Sequence, residues 1–192
     1  MFMPCRKPTL RLARRRAPPH HLVMTTPADI RTDHRSPLWA ALAIAILPVV
    51  AASIAGSTVT VPQIPTWYAG LAKPPFNPPN WIFAPVWTTL FALMALAAFR
   101  ILRLPVGTPG RRRALLVYHL QLLLNIGWSF AFFGANSPLA GLAVILPLLA
   151  LIVATIAAFR PLDRLASNLL WPYLAWVAFA TLLNASIWWL NR

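Results

Sequence analysis

The sequence predicts an all-α integral membrane protein, a bundle of five transmembrane helices. Three observations predict it. Of the 192 residues, 59% are hydrophobic and only 10% are charged, too little charge to cover a soluble domain of this length. The apolar residues fall into five blocks, each near the roughly 20 residues an α-helix needs to cross a hydrocarbon core of about 30 Å. The basic residues sit on alternate connections between those blocks, the asymmetry that holds loops on the cytoplasmic side. One compact membrane domain uses nearly all of the chain and leaves too little polar sequence for a second.

Taken in order, residues 1–36 are Arg- and Pro-rich, with Arg14-Arg15-Arg16 and Pro18-Pro19 and no apolar period. They read as a disordered basic tail. Three origins are open: a cytoplasmic tail, a presequence resembling an organelle transit peptide, or untranslated sequence ahead of a start at Met24, which is favoured. The membrane domain spans 37–192. Its first block covers about 37–60 and contains Pro48, which a membrane helix tolerates when neighbouring groups satisfy the freed carbonyl. The connection 61–80 carries Pro62, Pro65, Pro74, Pro75, Pro78 and Pro79. It is expected to be stiff, because each Pro fixes φ, and not to form regular helix. The second block is about 81–102, the third about 114–134, the fourth about 139–159 and the fifth about 168–190. A basic loop at 103–113 and short links elsewhere make neighbours antiparallel.

The formal charge is +14, with Asp29, Asp33 and Asp163 as the only acids. A basic balance can signal nucleic acid. Here five spans put all the Lys and Arg residues except Lys73 and Arg192 at one membrane face. Dropping everything before Met24 keeps that asymmetry. The N-terminus is therefore expected in the cytoplasm and the Pro-rich connection outside, and nucleic acid is excluded as a partner because the charges line a face rather than a groove. The lone Cys5 makes no internal disulfide, and no Cys/His cluster suggests a metal.

Nine tryptophans are many for this length. Trp39, Trp81, Trp171, Trp188 and Trp189 lie near span ends and fit an interfacial aromatic belt. Trp87, Trp128 and Trp176 lie deeper, where an indole N–H needs a partner; lining a cavity and plain interhelical packing are equally good readings of each alone. On the third span Gln121, Asn125, Trp128 and Phe132 follow at spacings of four, three and four, one helix face. Polar side chains inside a membrane turn toward protein or a cavity. For Gln121 an interhelical hydrogen bond and a pocket weigh evenly; Asn125, nearer mid-span, leans to the pocket. On the fifth span Tyr173, Trp176, Ala180 and Asn184 form a second such face. Aromatic walls with a few polar groups suit a flat apolar ligand. His119, near a span end, could ligate haem iron, but a hydrogen-bonded interface residue is the better reading. The rows Gly127, Ala131, Ala135 and Ala52, Gly56 allow close helix approach, within one chain or in a dimer.

No catalytic signature accompanies these faces. The spans contain no carboxylate, so paired-acid chemistry and an ion relay are both excluded. No nucleophile motif, P-loop or dinucleotide fingerprint occurs. No catalytic residue, obligatory cofactor or metal is assigned.

The run Trp67-Tyr68-Ala69-Gly70-Leu71-Ala72-Lys73-Pro74-Pro75-Phe76-Asn77-Pro78-Pro79, with Phe83, Pro85, Trp87, then Gln121, Asn125, Trp128, Phe132-Phe133-Gly134, then Pro172-Tyr173, Trp176 and Asn184, resembles the translocator protein family, also called tryptophan-rich sensory proteins. The likeness covers roughly 38–192. It implies a five-helix bundle with a pocket opening toward the first loop, taking porphyrins, sterols or synthetic benzodiazepine-type ligands. It implies that Tyr68 and Pro79 cap the pocket and that Trp87, Asn125, Trp176 and Ala180 line it; Trp128 and Tyr173 join them from the helix faces above. Two departures matter. Phe91 stands where a Tyr is common. No Tyr follows Asn184, so the sterol motif of vertebrate members is missing, which puts a sterol in doubt and favours a tetrapyrrole. The resemblance implies a sensor or receptor that regulates tetrapyrrole or stress responses. The alternatives are an enzyme degrading porphyrin in light, with Trp87 and Trp176 as redox partners, and a porphyrin or sterol transporter. It also implies a homodimer in a lipid bilayer, with a bacterial membrane favoured over the mitochondrial outer membrane.

Overall fold

The computed structural model describes residues 35–192; the expectations for the tail before them lie outside the described residues. Helix α1 runs Leu38–Gln63 and buries Ala41, Ala45, Val49 and Ala52. These small side chains recur every three or four residues, so they form one stripe against which other helices approach closely. The helix passes through both Pro48 and Pro62 and so ends later than expected. Pro62 costs one backbone bond but lies near the helix end, and its own carbonyl accepts from the Thr66 hydroxyl at 3.0 Å.

The Pro-rich connection is also more ordered than expected. A helical turn, α2, occupies Trp67–Gly70, and a 3₁₀ turn occupies Asn80–Ile82. Between them lies irregular chain with one hydrogen-bonded turn, in which Asn77 N–H donates to the Pro74 carbonyl at 3.0 Å. The second span, α3, follows as Phe83–Leu102. Helix α4 covers Arg111–Ser129, starting after Gly110 at φ 83°, a left-handed conformation that glycine adopts freely. The basic residues 111–113 therefore belong to the helix and not to the loop. Arg111 is buried and donates to the carbonyls of Ile101 and Leu102 at 3.2 and 3.0 Å, capping the C-terminus of α3.

The third span ends in a π-turn, Phe130–Gly134. There Ala135 and Ser137 donate to the carbonyls of Phe130 and Phe132, five residues back, at 2.8 and 3.1 Å. Helix α5 is Pro138–Phe159, N-capped by the Ser137 hydroxyl. A short helix, α6 at Arg164–Asn168, is capped by Asp163, and α7 spans Trp171–Leu190. The fifth span was expected from residue 168; Pro172, with no N–H to give back to Asn168, makes the helix restart instead.

All five spans are long and apolar enough to cross a membrane. Helix α1 packs on α3 and α4, α4 on α5, and α5 on α7; α3 meets α7 over only a short stretch. The end of the bundle that carries the basic loops is solid, with Met94, Ile101, Tyr118, Ile152, Phe159 and Leu170 fully buried. Outward faces stay apolar, with Leu47, Ile54, Leu123, Leu146 and Leu182 exposed toward the lipid position. Trp39, Trp81, Trp171 and Trp189 are exposed at span ends, as an interfacial belt requires.

Candidate ligand cavity under the first loop

The other end of the bundle is hollow. A cavity of about 290 Å³ lies between α1, α3, α4 and α7 and beneath the first connection. Trp87 and Phe91 face it from α3, Trp128 and Phe132 from α4 and the π-turn, and Trp176 and Ala180 from α7. Tyr68 closes it from the connection. Among the described residues, no Asp, Glu, Lys, Arg or His lies on its wall; the polar groups there are amides and hydroxyls, Asn80, Asn125 and Asn184 among them.

The rings hold one another in place. Trp128 stacks on Phe132 at 5.3 Å and 22°, and Phe132 meets Phe133 edge-on at 4.8 Å. Trp87 lies 5.3 Å from Phe91, and Phe83 meets Trp176 edge-on at 5.8 Å. Two amides tie the helices behind them. Asn125 donates to the Tyr173 hydroxyl at 3.1 Å, joining α4 to α7. Asn184 accepts from the Trp128 indole at 3.2 Å and donates to the Pro138 carbonyl at 2.7 Å, joining α7 to α4 and α5. The indole N–H groups of Trp87 and Trp176 have no acceptor among the described residues.

The first connection is laid over this cavity as a lid. Trp67 packs edge-on against Phe132 and Phe133 at 5.4 and 6.3 Å. The Tyr68 hydroxyl donates to Asn77 at 2.7 Å, and burial pushes its pKa up to about 12, which keeps it a donor at any ordinary pH. Lys73 lies over the Tyr68 ring at 4.7 Å and donates to the carbonyls of Ala69 and Leu71. At the far end Asn191 pairs with both backbone groups of Ala72, at 3.0 and 2.9 Å, and clips the lid to the C-terminus of α7.

Of the residues singled out from the sequence, Tyr68, Trp87, Asn125, Trp128, Trp176 and Ala180 come together on this wall. Pro79 does not; its neighbour Asn80, the first residue of the 3₁₀ turn, lies on the wall instead. Tyr173 does not either; it is fully buried behind Asn125 and orients that amide. Gln121 met neither expectation. It is buried, off the wall, and both its amide atoms lack a partner among the described residues. His119 turns its Nδ1 onto the carbonyl of Leu115 at 2.7 Å, within its own helix. Sequence reasoning missed the contribution of α1, where Ser53, Gly56, Ser57 and Thr60 form a whole side of the cavity. Their signal was a small polar row at spacings of three and four on an otherwise apolar span.

Comparison with known proteins shows the family. The model of the TspO/MBR family matches residues 43–190. The chain is 44% identical over 154 residues to the tryptophan-rich protein TspO of Chlorobaculum tepidum, covering 78% of this chain and 95% of that one. It is 41% identical over 150 residues to TspO of Archaeoglobus fulgidus, covering 78% and 96%. To the human translocator protein it is 39% identical over 123 residues, covering 64% and 73%. A five-span apolar bundle with this motif-bearing loop and these matches places the chain in the TspO/MBR family.

Proposed function

We propose that the protein is a membrane receptor, and that its cavity takes a tetrapyrrole or a similarly flat apolar ligand. One observation carries this reading: seven aromatic rings from three spans, with Tyr68 from the first connection, surround a space that bears no charged side chain. Such a wall stacks on a planar π-system and pays no penalty for burying an unpaired charge. The volume, about 290 Å³, sits at the low end of small-molecule sites, roughly 300–1,000 Å³. A macrocycle exceeds this space and enters only with the lid lifted; Lys73 lies on that lid. The basic end of the bundle is the cytoplasmic one in this reading, so the lid faces outward. The names of the relatives, sensory protein and translocator protein, fit a ligand-responsive role.

The test is titration of protoporphyrin into the purified protein with intrinsic tryptophan fluorescence as readout. Saturable quenching that weakens in Trp87→Phe and Trp176→Phe is expected. Linear quenching alike in all three proteins would mean partition into the micelle and would end the tetrapyrrole reading. The same samples under illumination separate a receptor from a porphyrin-degrading enzyme, which would give a product with a new absorption spectrum. Net flux in sealed liposomes would instead mark a transporter.

A further inference from the structure

A shallow, open groove lies on the surface of the opposite end of the bundle, outside its packed interior, where α5, α6 and α7 meet. It is lined by Arg160, Asp163, Arg164 and Trp171 on the polar side and by Val153 and Ala157 beside them. Arg160 and Arg164 are both exposed, and neither has a partner among the described residues. The one carboxylate present, Asp163, is already engaged. Its Oδ2 takes the Arg100 guanidinium at 2.8 Å, and its Oδ1 accepts from the Ala166 backbone at 2.9 Å. Arg100 brings a third guanidinium to this corner, and its buried Nε also lacks an acceptor among the described residues. The carboxylate is thus paired with Arg100, and Arg160 and Arg164 remain uncompensated on the recess wall.

Below the charges the recess continues onto the apolar flank of the bundle. Val153 is 50% exposed and Trp171 55%. Trp171 stands at the first residue of α7, the depth at which an indole sits among lipid headgroups. Charge above, an interfacial indole beside it and an aliphatic track below match one kind of occupant. We propose that this recess is a binding site for an anionic phospholipid, with the headgroup phosphate held by Arg160 and Arg164 and an acyl chain lying along Val153 and Ala157. Guanidinium forks suit phosphate oxygens bidentately, and basic recesses between transmembrane helices hold anionic headgroups. A soluble anion would use the arginines but not the apolar track. The site is independent of the ligand cavity.

The experiment is native mass spectrometry of the full-length chain, released from micelles holding equal amounts of phosphatidylglycerol and phosphatidylcholine. The wild-type protein is expected to retain phosphatidylglycerol in preference. Arg160→Gln and Arg164→Gln should each reduce that preference about fivefold, and the double variant about 25-fold. Both side chains are exposed and unpaired, so the variants keep the fold. The pair Arg112→Gln and Arg113→Gln, exposed at the same end but outside the recess, should leave the preference unchanged. Equal retention of the two lipids by wild type overturns the proposal, as does a preference that survives loss of Arg160 and Arg164. An equal loss in the Arg112/Arg113 variant means diffuse surface charge and overturns the site. Complete displacement by millimolar inorganic phosphate assigns the recess to a free anion instead; lipid retained in its presence supports the proposal.

Discussion

Gly141 of α5 is the position where one methyl group should do the most harm. A Cβ built there would lie 2.7 Å from Asn184 Oδ1, 2.8 Å from Phe132 Cδ2 and 3.1 Å from Phe132 Cβ. Neither neighbour can retreat. Asn184 is held by its bond to the Pro138 carbonyl at 2.7 Å. The Phe132 ring is packed between Trp128, Trp67 and Phe133. Overpacking of this kind costs about 1–3 kcal/mol, and rigid neighbours put it in the upper part of that range. Pushing Asn184 aside also breaks its bond with Trp128, worth about 0.6 kcal/mol on average in membranes. Gly141→Ala should therefore destabilise by about 2–3 kcal/mol, read as a lower midpoint of detergent-induced unfolding in mixed micelles. It should also weaken ligand binding, since Asn184 and Phe132 are both on the cavity wall. The control is Gly127→Ala, where the new Cβ meets only Val144 at 3.8 Å, an ordinary contact. That change should be neutral, or stabilise by up to about 1 kcal/mol through helix propensity. Equal effects of the two substitutions would refute the reasoning, because it rests entirely on the difference in local space.

Two further outcomes follow from the lid and from the lone acid. Asn191→Leu removes both bonds to Ala72 and should speed amide hydrogen exchange across residues 68–77 while leaving α3 and α5 protected; unchanged exchange would mean the clip does not hold the lid. Asp163 is the only acidic side chain among the described residues. Burial pushes its carboxyl up, but the hydrogen bond and charge of Arg100 and the backbone N–H groups of Ala166 and Leu165 outweigh that and leave its pKa below the usual value. A depressed folded pKa stabilises above the unfolded value of about 4. That stability is lost as pH falls through the folded value. Wild-type unfolding midpoints should thus fall on acidification from pH 5 more steeply than those of Asp163→Asn, which keeps a helix-capping oxygen but no titratable charge.

The spans were legible because membrane crossing sets a length that soluble folding does not, and a soluble domain seldom carries an unbroken block of about 20 apolar residues. Their ends were less legible, for reasons outside local sequence. Arg111–Arg113 look like loop until Arg111 is seen to bond Ile101 and Leu102 on the preceding helix. Pro62 looks like a helix stop, but it lies one residue before the end of α1, where a single missing backbone bond is tolerated. The faces of α4 and α7 read from spacing are the ones turned toward the cavity, but a face at spacings of three and four holds more than one layer. Tyr173 and Trp176 share such a face, yet Trp176 touches the cavity while Tyr173 stands behind Asn125. The α1 wall stayed hidden because Ala52 and Gly56 read equally as a packing row. Gly56 is indeed close-packed, with Ser129 Oγ 3.2 Å from where its Cβ would be, and it lines the cavity as well.

The two ends of the bundle use the same helices for opposite purposes, and the packing shows how. At the basic end, small residues of α1 let α3 and α4 close on α1, and Tyr118, Met94 and Phe159 fill the space. At the lid end the same helices cannot close, because their facing residues are large rings braced by edge-on contacts and by amide bonds to a third helix. Trp128 is fixed by Asn184 and by Phe132, Asn125 by Tyr173, and the π-turn displaces Phe132 and Phe133 from the register a continuous α-helix would give them. An apolar space held open in this way forfeits dispersion contacts on every unfilled wall. It persists because collapse would break the amide bonds that tie α4 to α7 and α5, in a medium where freed polar groups find no water. A ligand that fills the space regains those contacts without disturbing the ties. Occupancy should therefore stabilise the lid end selectively, and the lid, fastened by Asn191 and stacked on the Phe132–Phe133 pair, is the element placed to register it.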